Sequence, residues 1–264
     1  MNSNLKHVIK KINLSKLEIN PFPSLLIKNF LPKTILNSFI LSLPSFEQMQ
    51  GSDIFTQSKS DTKRSFFYNS KYFKKIMKQN KSLKEVVSIF KEIEIVINKK
   101  FENEINKFVK KEFVSKKTKF SCSISSSVKG YLKSTHIDRR EHKFHMLYYP
   151  EILKDSGGNL NLWKAKENEI YDVFPSQTKV KLAKKIKASG NTCLITLNTP
   201  FAYHSVTKYN CNKQRKYLYV VFDFPTSEEN YKIKQRKTGN NQNIFWKTPV
   251  KVFSKVRKLN FINE

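Results

Sequence analysis

The sequence is poor in cysteine, glycine, arginine and acidic side chains, and it has no long apolar run. Each shortage excludes something. Cysteine occurs only at Cys122, Cys193 and Cys211, an odd and widely spaced set without a C-x-x-C pair, which argues against a disulfide framework or a zinc knuckle and predicts reduced thiols. Among the 6 glycines, the pair Gly157-Gly158 has no helix start after it, so it reads as a turn rather than a phosphate cradle. No segment has the apolar length needed to span a bilayer, and MNSNLKHVIKKINLSKLEINPF scatters lysines where a signal peptide needs a continuous apolar stretch. The expectation is a soluble, cytoplasmic protein. Acidic residues number 21 against 50 Lys+Arg, a net charge of +29. The excess is mostly lysine: the arginines are Arg64, Arg139, Arg140, Arg215, Arg236 and Arg257, and no compact Arg-rich run offers bidentate base reading. Lysines spread end to end beside abundant Asn and Ile look more like compositional bias than a binding footprint. Nucleic acid or an anionic surface stays open as a partner without being favoured.

What is present is ample apolar material, 39% of 264 residues, enough for a sizeable core. Residues 21–32, PFPSLLIKNFLP, predict a short strand between prolines. A helix follows, with Ile35, Leu36, Phe39, Ile40 and Leu43 at helical spacing and Pro44 beyond its end. Residues 45–70, around Gly51, Ser52 and Asp53, show no sustained period and read as loop. Helical stripes return at Leu83, Val86, Val87 and Phe90, then at Ile97, Phe101, Ile105 and Phe108. Near residue 119 the period changes to two: Phe120, Cys122 and Ile124 alternate with polar residues. Short runs follow at HKFHMLYYP, GNLNLWKA, NTCLITLN, AYHSVTKY and KYLYVVFDF. Strands without intervening helices predict an antiparallel sandwich or jelly roll. The expected organisation is a single α+β domain with a mainly β core: an N-terminal strand and supporting helices over 1–118, a β core over 119–224, and a C-terminal extension over 225–264.

The stretch STHIDRREHKFH carries His136, His142 and His145, out of 5 histidines in all. If His136-Ile137-Asp138 is extended, residues i and i+2 share a face, so an imidazole and a carboxylate are presented together while Ile137 turns into the packing. An H-x-D tripeptide alone is weak evidence, and a surface ion pair is its commoner role. A third ligand is available in His204, within TPFAYHSVTKYN. Two histidines and one carboxylate, with other coordination positions open, form the facial triad of non-haem Fe(II) oxygenases. Arg215 then heads the strand KYLYVVFDF, where a buried guanidinium can grip a dicarboxylate.

In this order and spacing, His136-Ile137-Asp138, Leu147-Tyr148-Tyr149, Gly157-Gly158-Asn159-Leu160, His204-Ser205-Val206 and Arg215 resemble the Fe(II)- and 2-oxoglutarate-dependent oxygenases of the prolyl-4-hydroxylase-like type. The resemblance covers roughly residues 119–224. It implies a double-stranded β-helix, a cupin-like jelly roll, with Fe(II) held by His136, Asp138 and His204 and the far carboxylate of 2-oxoglutarate held by Arg215. It also implies a donor tyrosine before Gly-Gly, and alignment favours Tyr149 over Tyr148. The implied reaction consumes O2 and 2-oxoglutarate, releases succinate and CO2, and hydroxylates an unactivated C–H. A retained Asp138 favours hydroxylation over halogenation. His145, on the Tyr149 face, reads as a pocket-lining side chain rather than a fourth ligand, and His142 reads as part of a solvated loop. Tyr131 reads equally as a cosubstrate neighbour or as core.

Two other function classes compete. One is a non-catalytic basic jelly-roll module that binds nucleic acid or an anionic surface; it has the net charge in its favour and no chemical need for the ligand set. The other is a nucleic-acid demethylase, which needs an Arg-lined groove with aromatic platforms that the sequence does not display. Substrate choice in such folds resides in loops, so a small molecule, a glycan and a peptide all remain open.

Overall fold

A computed structural model of the chain describes residues 2–49, 62–151, 153, 157–166, 173–188, 190–225 and 230–232. Helix α1 (Ser3–Leu14) is capped by the Asn2 side chain, which accepts from the Asn4 N–H, and buries Leu5, Val8 and Ile12 on one stripe. Strand β1 (Ser24–Lys28) and helix α2 (Lys33–Ser42) follow as the sequence predicts. Strand β2 (Lys63–Phe67) precedes helices α3 (Lys71–Gln79), α4 (Lys81–Glu92), α5 (Glu94–Lys100), α6 (Glu102–Phe108) and α7 (Lys111–Val114). The remaining strands are β3 (Lys119–Ser127), β4 (Lys133–His136), β5 (His142–Tyr149), β6 (Leu160–Ala165), β7 (Val180–Ile186), β8 (Thr192–Leu197), β9 (His204–Val206) and β10 (Arg215–Asp223).

These strands form two antiparallel sheets, a six-stranded one in the order β1-β8-β5-β10-β3-β2 and a four-stranded one in the order β4-β9-β6-β7. Two strands from before residue 119 thus complete the edges of the larger sheet. Side-chain alternation divides its centre between two environments. Phe144, Met146 and Tyr148 of β5, with Leu218, Val220 and Phe222 of β10, join the helix-side core together with Phe30, Phe39, Phe90 and Phe101. Leu147, Tyr149 and Tyr217 face the other way and meet Leu160, Leu162 and Ile186 of the smaller sheet. The helices therefore cover one face of the large sheet and leave the space between the sheets for polar chemistry.

The structure corrects two readings. Residues 45–70 are not all loop: β2 pairs with β3, and Ser65 Oγ lies 2.7 Å from Ser125 Oγ across the pair. KRSFF has no alternation to mark it as a strand; its pairing is supplied by β3. Gly51, Ser52 and Asp53 lie outside the described residues. The second helical stripe is divided between two helices, with Phe101 between α5 and α6. Most of 225–264 also lies outside the described residues; of the part described, Tyr231 bridges to Val109. Among the described residues all three cysteines are free, and no helix is long and apolar enough to cross a membrane.

Phe90 is fully buried, stacked on Phe30 at 5.2 Å and near Tyr148 at 5.7 Å, so it joins α4 to the large sheet. Phe90→Ala should lower the unfolding free energy by about 3–5 kcal/mol. Leu41→Ala, at a site 86% exposed, should change it by less than about 0.5 kcal/mol. Urea denaturation followed by circular dichroism measures both, and equal effects would contradict this account of the core.

Candidate metal centre and buried arginine

Strands β4 and β9 pair with His136 opposite His204. Opposed residues share a face of the sheet, and the two imidazole centroids are accordingly 4.3 Å apart. Asp138 lies just past the end of β4, with Oδ1 3.5 Å from His136 Nε2 and Oδ2 3.7 Å from His204 Nε2. Between the histidine and the aspartate, Ile137 turns away and packs with Val180 and Tyr203. One donor atom from each of His136, Asp138 and His204 lies within 4.8 Å of the others.

The outer ring nitrogens are anchored. His136 Nδ1 is 2.8 Å from the Ser134 carbonyl oxygen, and His204 Nδ1 is 3.0 Å from that of Ala202. A carbonyl only accepts, so each Nδ1 carries the proton and each Nε2 presents a lone pair. Two lone pairs and a carboxylate converging on one point repel each other unless a cation lies between them, so the donor set fits a divalent metal ion. Burial works to raise the Asp138 pKa, but His204, His145 and His136 outweigh it and hold the carboxyl well below its usual range. Burial lowers His204 to about 3 and His145 to about 4, each against the pull of Asp138. At neutral pH, Asp138 is an anion and these two imidazoles are neutral, the states in which such groups bind a metal. The Phe174 ring, 44% exposed, stacks over His136 at 6.4 Å and marks the open side of the centre.

Arg215 opens β10 opposite Ser127 and is 2% exposed. Its Nε donates to Ser127 Oγ at 3.2 Å, and Nη1 donates to the Gly158 carbonyl. The rings of Tyr131, Tyr149, Tyr209 and Tyr217 surround the guanidinium, with centroids 5.1–5.7 Å from Cζ. Among the described residues no carboxylate lies within ion-pair distance of it. A buried cation without a counter-ion costs several kcal/mol, and the site fits an anionic ligand. Gly158 is more than a turn residue. Its φ is +62°, and a Cβ there would meet Arg215 Nη1 at 2.3 Å and Cζ at 3.0 Å, so only glycine leaves the guanidinium its place.

Strand parity sorts the adjacent tyrosines. Tyr148 points to the helices, packs against Phe30, Phe39 and Phe90, and donates to Asn191 Oδ1 at 2.8 Å. Tyr149 lies on the Arg215 side, as does Tyr131. His145 faces the centre, with Nδ1 3.2 Å from Asp138 Oδ2. His142 differs from its reading as a solvated loop: it begins β5 opposite Asp223, and its Nδ1 pairs with that carboxylate. Sequence reasoning missed Tyr209, Tyr217 and Tyr219, the last of which donates to Asp138 Oδ2 at 2.9 Å. The signal for two of them was present, since Tyr217 and Tyr219 share the parity of Arg215 along β10.

No known protein family and no curated protein matches the sequence. Among solved structures, a prolyl 4-hydroxylase from Phytophthora capsici superposes on 98% of this chain and 76% of its own, with a TM-score of 0.55 at 9% identity. A prolyl hydroxylase from Trichoplax adhaerens, solved with a hypoxia-inducible-factor oxygen-degradation-domain peptide, covers 83% of this chain and 89% of its own, with a TM-score of 0.50 at 14% identity. SnoN, a non-haem α-ketoglutarate-dependent epimerase of nogalamycin biosynthesis, covers 84% and 81%, with a TM-score of 0.50 at 7% identity. At such identities the likeness is one of architecture: the chain has the double-stranded β-helix fold of these oxygenases, with helices packed on its larger sheet.

Proposed function

We propose that the chain is an Fe(II)- and 2-oxoglutarate-dependent dioxygenase that hydroxylates an unactivated C–H of a small molecule, glycan or peptidyl residue. The observation that carries this reading is the combination, on the inter-sheet faces, of a two-histidine, one-carboxylate donor set with a buried arginine that has no carboxylate partner among the described residues. A metal site alone would not need Arg215, and an anion site alone would not need the triad.

His136, Asp138 and His204 would hold Fe(II) from one side, leaving the remaining positions to 2-oxoglutarate and O2. When bound, the iron supplies the redox chemistry that couples oxidative decarboxylation of 2-oxoglutarate to succinate and CO2 with insertion of one oxygen atom into the substrate C–H. The chain's own residues do the placing. Arg215 binds the far carboxylate of 2-oxoglutarate, Tyr149 donates its hydroxyl to that group, and Gly158 leaves the guanidinium room. Leu147, Leu160, Leu162 and Ile186 keep water from the space between the sheets. Phe174, exposed beside His136, lies where a substrate enters. Two of the structural neighbours are prolyl hydroxylases, which supports keeping a peptidyl residue among the candidate substrates.

His204→Ala should weaken Fe(II) or Co(II) binding by more than the about 10–100-fold typical of losing a residue that only supports a ligand, measured by metal titration; unchanged binding would refute the triad. Arg215→Ala should retain the metal but bind 2-oxoglutarate more weakly by about 2–5 kcal/mol, roughly thirtyfold to a few thousandfold. Gly158→Ala should act in the same direction by displacing the guanidinium. Anaerobic calorimetric titration of the metal-loaded protein with 2-oxoglutarate reads both. Wild-type affinity in both variants would remove Arg215 from the cosubstrate site.

A further inference from the structure

A third histidine adjoins the metal centre without belonging to it. His145 is 2% exposed and lies on the same face of β5 as Leu147 and Tyr149. Its Nδ1 is 3.2 Å from Asp138 Oδ2, yet it is not aligned for a hydrogen bond and has no other partner among the described residues, an orphaned polar atom inside the protein. The same oxygen accepts from the Tyr219 hydroxyl at 2.9 Å. The His145 ring is held by its neighbours, lying near-parallel to Tyr219 at 6.4 Å and tilted against His204 at 5.1 Å. Its nitrogen does not join the three donor atoms that converge within 4.8 Å. Oδ1 of Asp138, by contrast, faces His136 Nε2 and has no such donor beside it among the described residues.

Accepting the proposed function, with Asp138 as a metal ligand, we propose that His145 is a positioning residue that acts with Tyr219 to hold Oδ2 of Asp138, so that the carboxylate offers the metal Oδ1 alone. An unpartnered N–H within reach of a carboxylate oxygen in a dry site is stabilised by completing that bond. Among the described residues the acceptor beside Nδ1 is Asp138 Oδ2, so the ring proton belongs on Nδ1. Contacts of this kind orient the side chains that bind a metal and are worth about 10–100-fold in metal affinity. With both donors engaged on Oδ2, the carboxylate cannot chelate through both oxygens, and one more coordination position stays open for ligands from solution.

The test is a Co(II) titration of the full chain followed by visible absorption, with His145→Leu, His145→Asn and Tyr219→Phe compared with wild type. The Asn amide nitrogen occupies the place of the imidazole Nδ1, whereas Leu has no donor; Phe keeps the Tyr219 ring and removes only its hydroxyl. His145→Leu and Tyr219→Phe should each weaken Co(II) binding by about 10–100-fold, while His145→Asn recovers most of the loss with the wild-type absorption band. Wild-type affinity in the Leu and Phe variants would overturn the proposal. So would a band altered equally in the Asn and Leu variants, which would make His145 a ligand. If wild type binds no Co(II), the metal centre itself fails and this proposal with it; unchanged variants of a binding wild type refute this proposal alone.

Discussion

The two-residue alternation along the paired strands β5 and β10 is the constraint from which the rest follows. It sends Phe144, Met146, Tyr148, Leu218, Val220 and Phe222 into one continuous apolar core with the helices. By the same geometry it sends His145, Tyr149, Arg215, Tyr217 and Tyr219 to the opposite face. A shift of one residue in either strand would exchange the two sets, placing a guanidinium and an imidazole in oil and leaving the chemistry without its groups. Register is thus held by the helix-side core, and the side chains of the candidate site take their positions from it.

Those positions are unfavourable for stability on their own. Asp138 is ringed by three imidazoles, and among the described residues Arg215 is buried with neutral oxygens and aromatic faces around it. Each is a group that the isolated chain would be more comfortable exposing. The large core over the other face of the sheet offsets this cost. The same division explains why the candidate ligands come from the thin four-stranded sheet and its edges. His136 and His204 sit on the short strands β4 and β9, where Nδ1 contacts to the nearby carbonyls of Ser134 and Ala202 set ring orientation without help from a deep core.

Much of this was legible in the sequence, and the part that was not has physical reasons. The change from helical to alternating period placed the β core, and the parity of His136 and Asp138 around Ile137 anticipated their common face, with Ile137 in the packing. Arg215 at the head of an apolar strand anticipated a buried cation. Strand β2 escaped notice because KRSFF carries no pattern of its own and is ordered by its partner β3. His142 looked solvated because its flanking residues are charged, whereas its partner Asp223 lies far away in sequence and is supplied by β10. The tyrosines around Arg215 come from β5, β10 and the segments holding Tyr131 and Tyr209, and only folding brings them together. Gly158 could be read as a turn, but its closeness to the guanidinium is a tertiary fact.

The central claim is that the His136–Asp138–His204 centre and Arg215 serve one bound molecule. A crystal structure of the protein grown with Mn(II) and 2-oxoglutarate tests it most directly. The account predicts one ion on those three side chains, with the far carboxylate of the cosubstrate on Arg215 and near the Tyr149 hydroxyl. An ion bound elsewhere, or 2-oxoglutarate absent from Arg215 at saturating concentration, would contradict it.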